Sequence, residues 1–79
     1  METIQRPRHK ALVKIISDKR KRAGLRQADL AKLLKKPQTS VSYIEGGQRR
    51  IDVIEFLDLA DAIGFDPHQV LYKLLRIKE

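Results

Sequence analysis

Residues 27–47 read QADLAKLLKKPQTSVSYIEGG. The stretch divides at Lys35-Lys36-Pro37. Before the division, Leu30, Ala31 and Leu34 share one face at helical spacing. After it, Pro37 cannot continue the preceding helix but suits the opening of another. Gly46-Gly47 then ends what Pro37 begins. The expectation is two short helices, over about 27–34 and from 37 or 38 to 44 or 45, joined by a break of about three residues.

The second of these helices carries little that is apolar. At about 100° per residue, Val41 and Ile44 fall about 60° apart and define its inward face. Gln38, Thr39, Ser42, Tyr43 and Gly46 fall on the other side. That face is small and uncharged, and its side chains both donate and accept hydrogen bonds. A mixed donor and acceptor code is what base edges offer in a DNA major groove. The alternative is a polar face turned to solvent. The length of the break is that of a helix-turn-helix, in which the first helix braces the second across the groove. Ala31 is small enough to let the two helices cross closely.

Outward from this pair, the apolar spacing stays helical in both directions. A first helix is expected from Pro7 or Arg8 to Ala23, with Leu12, Ile15, Ile16 and Ala23 as its stripe and Gly24 as its stop. Residues 1–7 read as a flexible basic arm. A fourth helix is expected from Asp52 to about Ile63, where Asp52 and Glu55 have capping-box spacing and Gly64 ends the run. Asp66-Pro67 opens a fifth, carrying Val70, Leu71, Leu74 and Ile77. The fold class is therefore all-α, a compact five-helix bundle in one domain over residues 1–79.

Two charged residues stand where apolar ones are expected. Arg20 continues the stripe Leu12–Ile16, and Glu45 lies beside Val41 on the inward edge of the third helix. A buried charge needs a partner, so these two are expected to pair; the alternative places both at the surface near helix ends. The fourth helix has apolar residues on two sides, with Val53, Leu57 and Ala60 on one and Phe56, Leu59 and Ile63 on the other. Either neighbouring helices cover both, or one side is left for a partner.

Charge narrows the function classes. The net charge is +7 over 79 residues, and it is unevenly placed. Residues 1–50 hold 14 of the 17 Lys and Arg and 4 of the 10 Asp and Glu. A basic front and an acidic back suit a polyanion on one side of the molecule. Cysteine is absent, which rules out disulfides and thiolate metal sites. His9 and His68 are far apart in the chain, with no nucleophile, metal or phosphate-loop constellation around them. An enzyme is not expected, nor a cofactor, a metal or a membrane span, and no secretion signal is read at the N-terminus.

Taken together, Gly24-Leu25-x-Gln27, Leu30-Ala31, Ser42-x-Ile44-Glu45-x-Gly47 and Ala62-Ile63-Gly64 resemble the Cro/cI-type phage-repressor helix-turn-helix family. The resemblance runs from Leu12 to about Leu74. It implies a stand-alone bacterial or phage member that binds double-stranded DNA, usually as a two-fold homodimer. It implies that Gln27 contacts a phosphate from the start of the second helix, that Gln38, Thr39 and Tyr43 read bases, and that Ser40 and Ser42 touch phosphate or the groove margin, Ser42 being counted here with the base readers. It also implies that Arg20 and Glu45 form a structural ion pair, and that Gly47 lays backbone against phosphate. Three positions depart from the family pattern. Arg26 stands where a Ser or Thr cap is usual, Lys35 where a turn glycine is usual, and Lys19 where an apolar residue is usual.

The functional expectation is a sequence-specific DNA-binding transcriptional regulator in the cytoplasm, at the bacterial nucleoid, with repression the preferred sense. Arg26, Lys35, Lys36, Arg49 and Arg50 surround the recognition helix in sequence and are expected to meet phosphates. The alternative is a protein-interaction adaptor on the same fold, or an antitoxin with a toxin as partner.

Overall fold

A computed structural model describes residues 6–79. Among them are five helices: α1 (Pro7–Arg22), α2 (Gln27–Leu34), α3 (Gln38–Glu45), α4 (Val53–Ile63) and α5 (Pro67–Leu75). The described residues contain no strand, and the all-α expectation holds. None of the helices is long and apolar enough to cross a membrane.

The helix ends follow from backbone chemistry. Pro7 opens α1 after an extended Arg6, and Pro67 opens α5 behind Asp66, whose carboxylate accepts the His68 N–H at 2.9 Å. The first three helices end in one hydrogen-bond pattern, in which two N–H groups beyond the helix reach back to its last carbonyls. Leu25 and Gly24 reach Arg20 and Lys21; Lys36 and Lys35 reach Ala31 and Lys32; Gln48 and Gly47 reach Tyr43 and Ile44. The pattern needs a left-handed residue at the turn. Gly47 supplies it after α3 with φ +70°, whereas after α2 it falls to Lys35, with φ 58°. Lys35 is the only described residue other than glycine with positive φ. The turn thus keeps the shape a glycine would take, against a steric cost of about 1–2 kcal/mol.

Ile16, Leu30, Ala31, Val41, Ile44 and Leu59 form the buried cluster. Every helix but α5 contributes to it; α5 adds the buried Val70 and packs on α1 and α4. Ala31 is buried in this cluster, and α2 packs on both α3 and α4. Phe56 and Phe65, with ring centroids 5.7 Å apart, fasten the α4–α5 loop back onto α4.

Three details differ from the sequence expectation. Ala23 and Leu71 are exposed rather than buried. On α4 the division of faces is uneven. Phe56, Leu59 and Ala60 are buried, Ile63 is half-buried, and Val53, Ile54 and Leu57 stay exposed. The arm expected over 1–7 lies mostly on residues 1–5, outside the described residues. Of its remaining members, Pro7 is the first residue of α1, and Arg6 Nη2 pairs with Glu79 Oε1 at 2.8 Å. Arg8 lies within α1, where its Nε donates to the carbonyls of Leu74 and Ile77 and its N–H to Glu79. The two ends of the described chain are thereby tied together.

Candidate nucleic-acid interface

The α3 helix is held from within by Val41 and Ile44, each 1% exposed. That fixes the rotation of the helix, so Gln38, Thr39, Ser42 and Tyr43 all turn to solvent. Tyr43 is 52% exposed. Ser40 is half-buried at the margin of this face. Pro37 offers no side-chain cap, so the positive end of the α3 dipole is left open beside Gln38.

A hydrogen-bonded chain ties this face to the core. Ser42 Oγ donates to Gln27 Oε1 at 3.0 Å, and Gln27 Nε2 donates to Glu45 Oε1 at 3.1 Å. Glu45 in turn accepts from Arg20 Nε at 2.6 Å and Nη2 at 2.9 Å, while Arg20 Nη1 donates to the Leu25 carbonyl at 2.8 Å. The Arg20 and Glu45 side chains are 9% and 6% exposed. The pair inferred from the stripe is therefore present, buried and bidentate. It positions Gln27, whose amide keeps one N–H beyond those used here.

The start of α2 solves its missing cap locally. Asp29 Oδ2 accepts the Arg26 N–H at 2.8 Å, and Arg26 Nη2 meets Asp29 Oδ1 at 3.0 Å. These hydrogen bonds, side-chain first and then backbone, hold the Asp29 carboxyl down to about 2. They also keep the exposed Arg26 guanidinium beside the first turn of α2.

The residues flanking α3 make a second cluster that sequence reading missed. Asp52 Oδ1 accepts the Glu55 N–H at 2.7 Å, which is half of the expected capping box. The other half is absent, because the Glu55 carboxylate turns to different donors. Arg49 Nη1 and Nη2 meet it at 2.9 and 2.7 Å, and Lys36 Nζ at 3.3 Å. Arg49 Nη1 also donates to the Arg50 carbonyl. The Glu55 side chain is 8% exposed, whereas those of Arg49 and Lys36 are each 41% exposed. The hydrogen bonds from Arg49 lower the Glu55 pKa despite burial, with a smaller contribution from Lys36. Only the Asp52 spacing marked Glu55 in the sequence, and it pointed to a cap. Arg50 stays exposed, and Gly47 sits in the left-handed turn between α3 and this cluster.

The structure thus brings Gln38, Thr39, Ser42 and Tyr43 onto one face of one helix. Gln27 and Arg26 lie at the start of α2, and Lys36, Gly47, Arg49 and Arg50 lie in the segments on either side of α3. Among the described residues, no group of three or more His, Cys, Asp or Glu is placed to hold a metal ion.

The chain and its fold are similar to known proteins. The family model described as a helix-turn-helix domain matches residues 18–71. A solved structure described as an XRE-family like protein from Pseudomonas syringae pv. tomato str. DC3000 is similar, with a TM-score of 0.83 and 42% identity over 91% of this chain and 88% of that one. Comparison with curated proteins gives no significant match.

Proposed function

The chain belongs to the helix-turn-helix domain family; this and the XRE-family like neighbour support a DNA-binding regulator, and from that premise we propose a sequence-specific reader of double-stranded DNA. In this reading the protein is a transcriptional repressor of the Cro/cI type, working at the nucleoid in the cytoplasm. The observation that carries it is the α3 face. Four exposed polar side chains stand on a helix whose rotation the core fixes, with cationic side chains before and after it. Gln38 can pair bidentately with adenine, and Thr39 or Tyr43 can meet a thymine methyl. Gln27, Arg26, Ser40, Lys36, Gly47, Arg49 and Arg50 face phosphates and set the register. Selection of bound duplexes from a random pool tests the reading. A palindromic consensus is the expected result, and a pool that stays random overturns it. On the selected duplex, Gln38→Ala should lower discrimination at one base pair by about 1–3 kcal/mol.

A second feature favours a two-fold homodimer. Val53, Ile54 and Leu57 are exposed along α4, as are Leu71, Tyr72 and Leu75 on α5. A dimer through such a surface would present two copies of α3 to half-sites about one DNA turn apart. Analytical ultracentrifugation decides this: Leu57→Asp should yield monomer at concentrations where the unaltered chain sediments as a dimer.

A further inference from the structure

Glu55 is a buried acid held by two cations, and its surroundings exceed what stability requires. Burying a carboxylate is unfavourable unless it is paired, and a bidentate arginine already satisfies both oxygens. Arg49 supplies that pairing at 2.7 and 2.9 Å. Lys36 Nζ nevertheless donates to the same carboxylate, at 3.3 Å from the Oε2 that Arg49 Nη2 also meets. The two cations come from opposite ends of α3: Lys36 precedes its first residue, and Arg49 follows its last. One carboxylate from α4 thus ties together the segments that enter and leave the helix. Two cations around one anion leave a net positive charge, and both cationic side chains remain 41% exposed.

We propose that Glu55 is a positioning residue for DNA, holding Lys36 and Arg49 at fixed places beside α3 so that they receive backbone phosphates in a single register. The inference rests on the reading of α3 as the DNA-facing helix. Free lysine and arginine side chains attract any duplex, because the counterion-release contribution ignores sequence. Side chains fixed in advance avoid an ordering cost on binding. They favour the one register in which phosphates fall where the cations already are. Glu55 therefore lowers the total positive charge while raising discrimination.

Opposite signs on two duplexes test this. The probes are a duplex selected by the unaltered full-length chain and a scrambled duplex of equal length, titrated between 50 and 200 mM salt. Glu55→Gln frees both cations and adds one unit of positive charge. Affinity for the selected duplex should fall about tenfold, within the range of coupling between groups in one network. Affinity for the scrambled duplex should rise, with a salt slope steeper by up to about 0.9. Glu55→Asp keeps the charge but withdraws it by one methylene. It should weaken the selected complex and leave the scrambled-duplex slope at the unaltered value. Thermal unfolding in parallel identifies a variant that is not folded at the assay temperature, in which case the other variant decides. If either folded variant weakens both duplexes equally, Glu55 is merely structural. If Glu55→Gln tightens both, the carboxylate competes with phosphate, and the proposal falls. A failure of the unaltered chain to select any duplex is a separate result, and it removes the DNA-reading itself.

Discussion

Two arginine–glutamate pairs brace α3, and they differ in depth. Arg20 and Glu45 meet at 2.6 and 2.9 Å with both side chains under 10% exposed. Arg49 and Glu55 meet at 2.7 and 2.9 Å, but only the glutamate is buried. The hydrogen bonds are alike, so geometry does not distinguish the pairs. Solvent does. The deep pair is enclosed, and its spare donors and acceptors go to Leu25 and Gln27. The shallow pair shares its carboxylate with Lys36 and leaves its cations part-exposed to solvent. An ion pair can therefore serve packing or presentation, and the exposure of the cation decides which.

The largest effect that would break the contrast is expected in the deep pair. Glu45→Ala strands Arg20 in the core and should cost about 3–5 kcal/mol. A loss of 1 kcal/mol lowers Tm by about 4–8 °C in a domain this size, so thermal unfolding resolves the change easily. An unchanged Tm would refute the distinction.

Glu55→Gln should cost less, about 1–2 kcal/mol, because solvent screens the exposed half of that pair. The comparison sharpens with acid. The Glu55 pKa is lowered in the folded state, chiefly by Arg49. Its contribution is present above the unfolded pKa and is lost as pH falls through the folded one. The stability difference between the unaltered chain and Glu55→Gln should therefore shrink as pH drops below about 5. Denaturant titrations at several pH values measure it, and a difference that grows toward low pH would contradict the assignment.

The smallest effect concerns the turn that carries Lys36 to Glu55. Lys35→Gly relieves the left-handed strain but adds freedom to the unfolded chain, for a net gain of about 0.5–1 kcal/mol. Chemical denaturation should show a slightly raised midpoint. A loss instead would mean that the Lys35 side chain contributes a contact of its own.

Much of this was legible in the chain. The helix-turn-helix boundaries followed from Pro37, Gly24 and Gly47, because proline and glycine constrain the backbone locally. The deep pair was legible because Arg20 interrupts an apolar stripe, and a charge on a buried face demands a partner. The shallow cluster was not. Arg49 lies in a loop without periodicity, Lys36 in a turn, and Glu55 imitates half of a capping box. Nor did spacing show that α4 leaves Val53 and Leu57 uncovered while burying Ala60.

By itself the sequence determined the five helices, the inward residues of α3 and the side chains left outward on it. These depend on periodicity and on the backbone limits of single residues, which act over one or two helical turns. Only the tertiary structure decided which cations are held and which are loose. That choice depends on where α4 places one carboxylate relative to segments six and nineteen residues away in sequence. The structure likewise shows how Lys35 is accommodated: it takes the left-handed conformation that the hydrogen-bond pattern closing α2 needs, whichever residue occupies it.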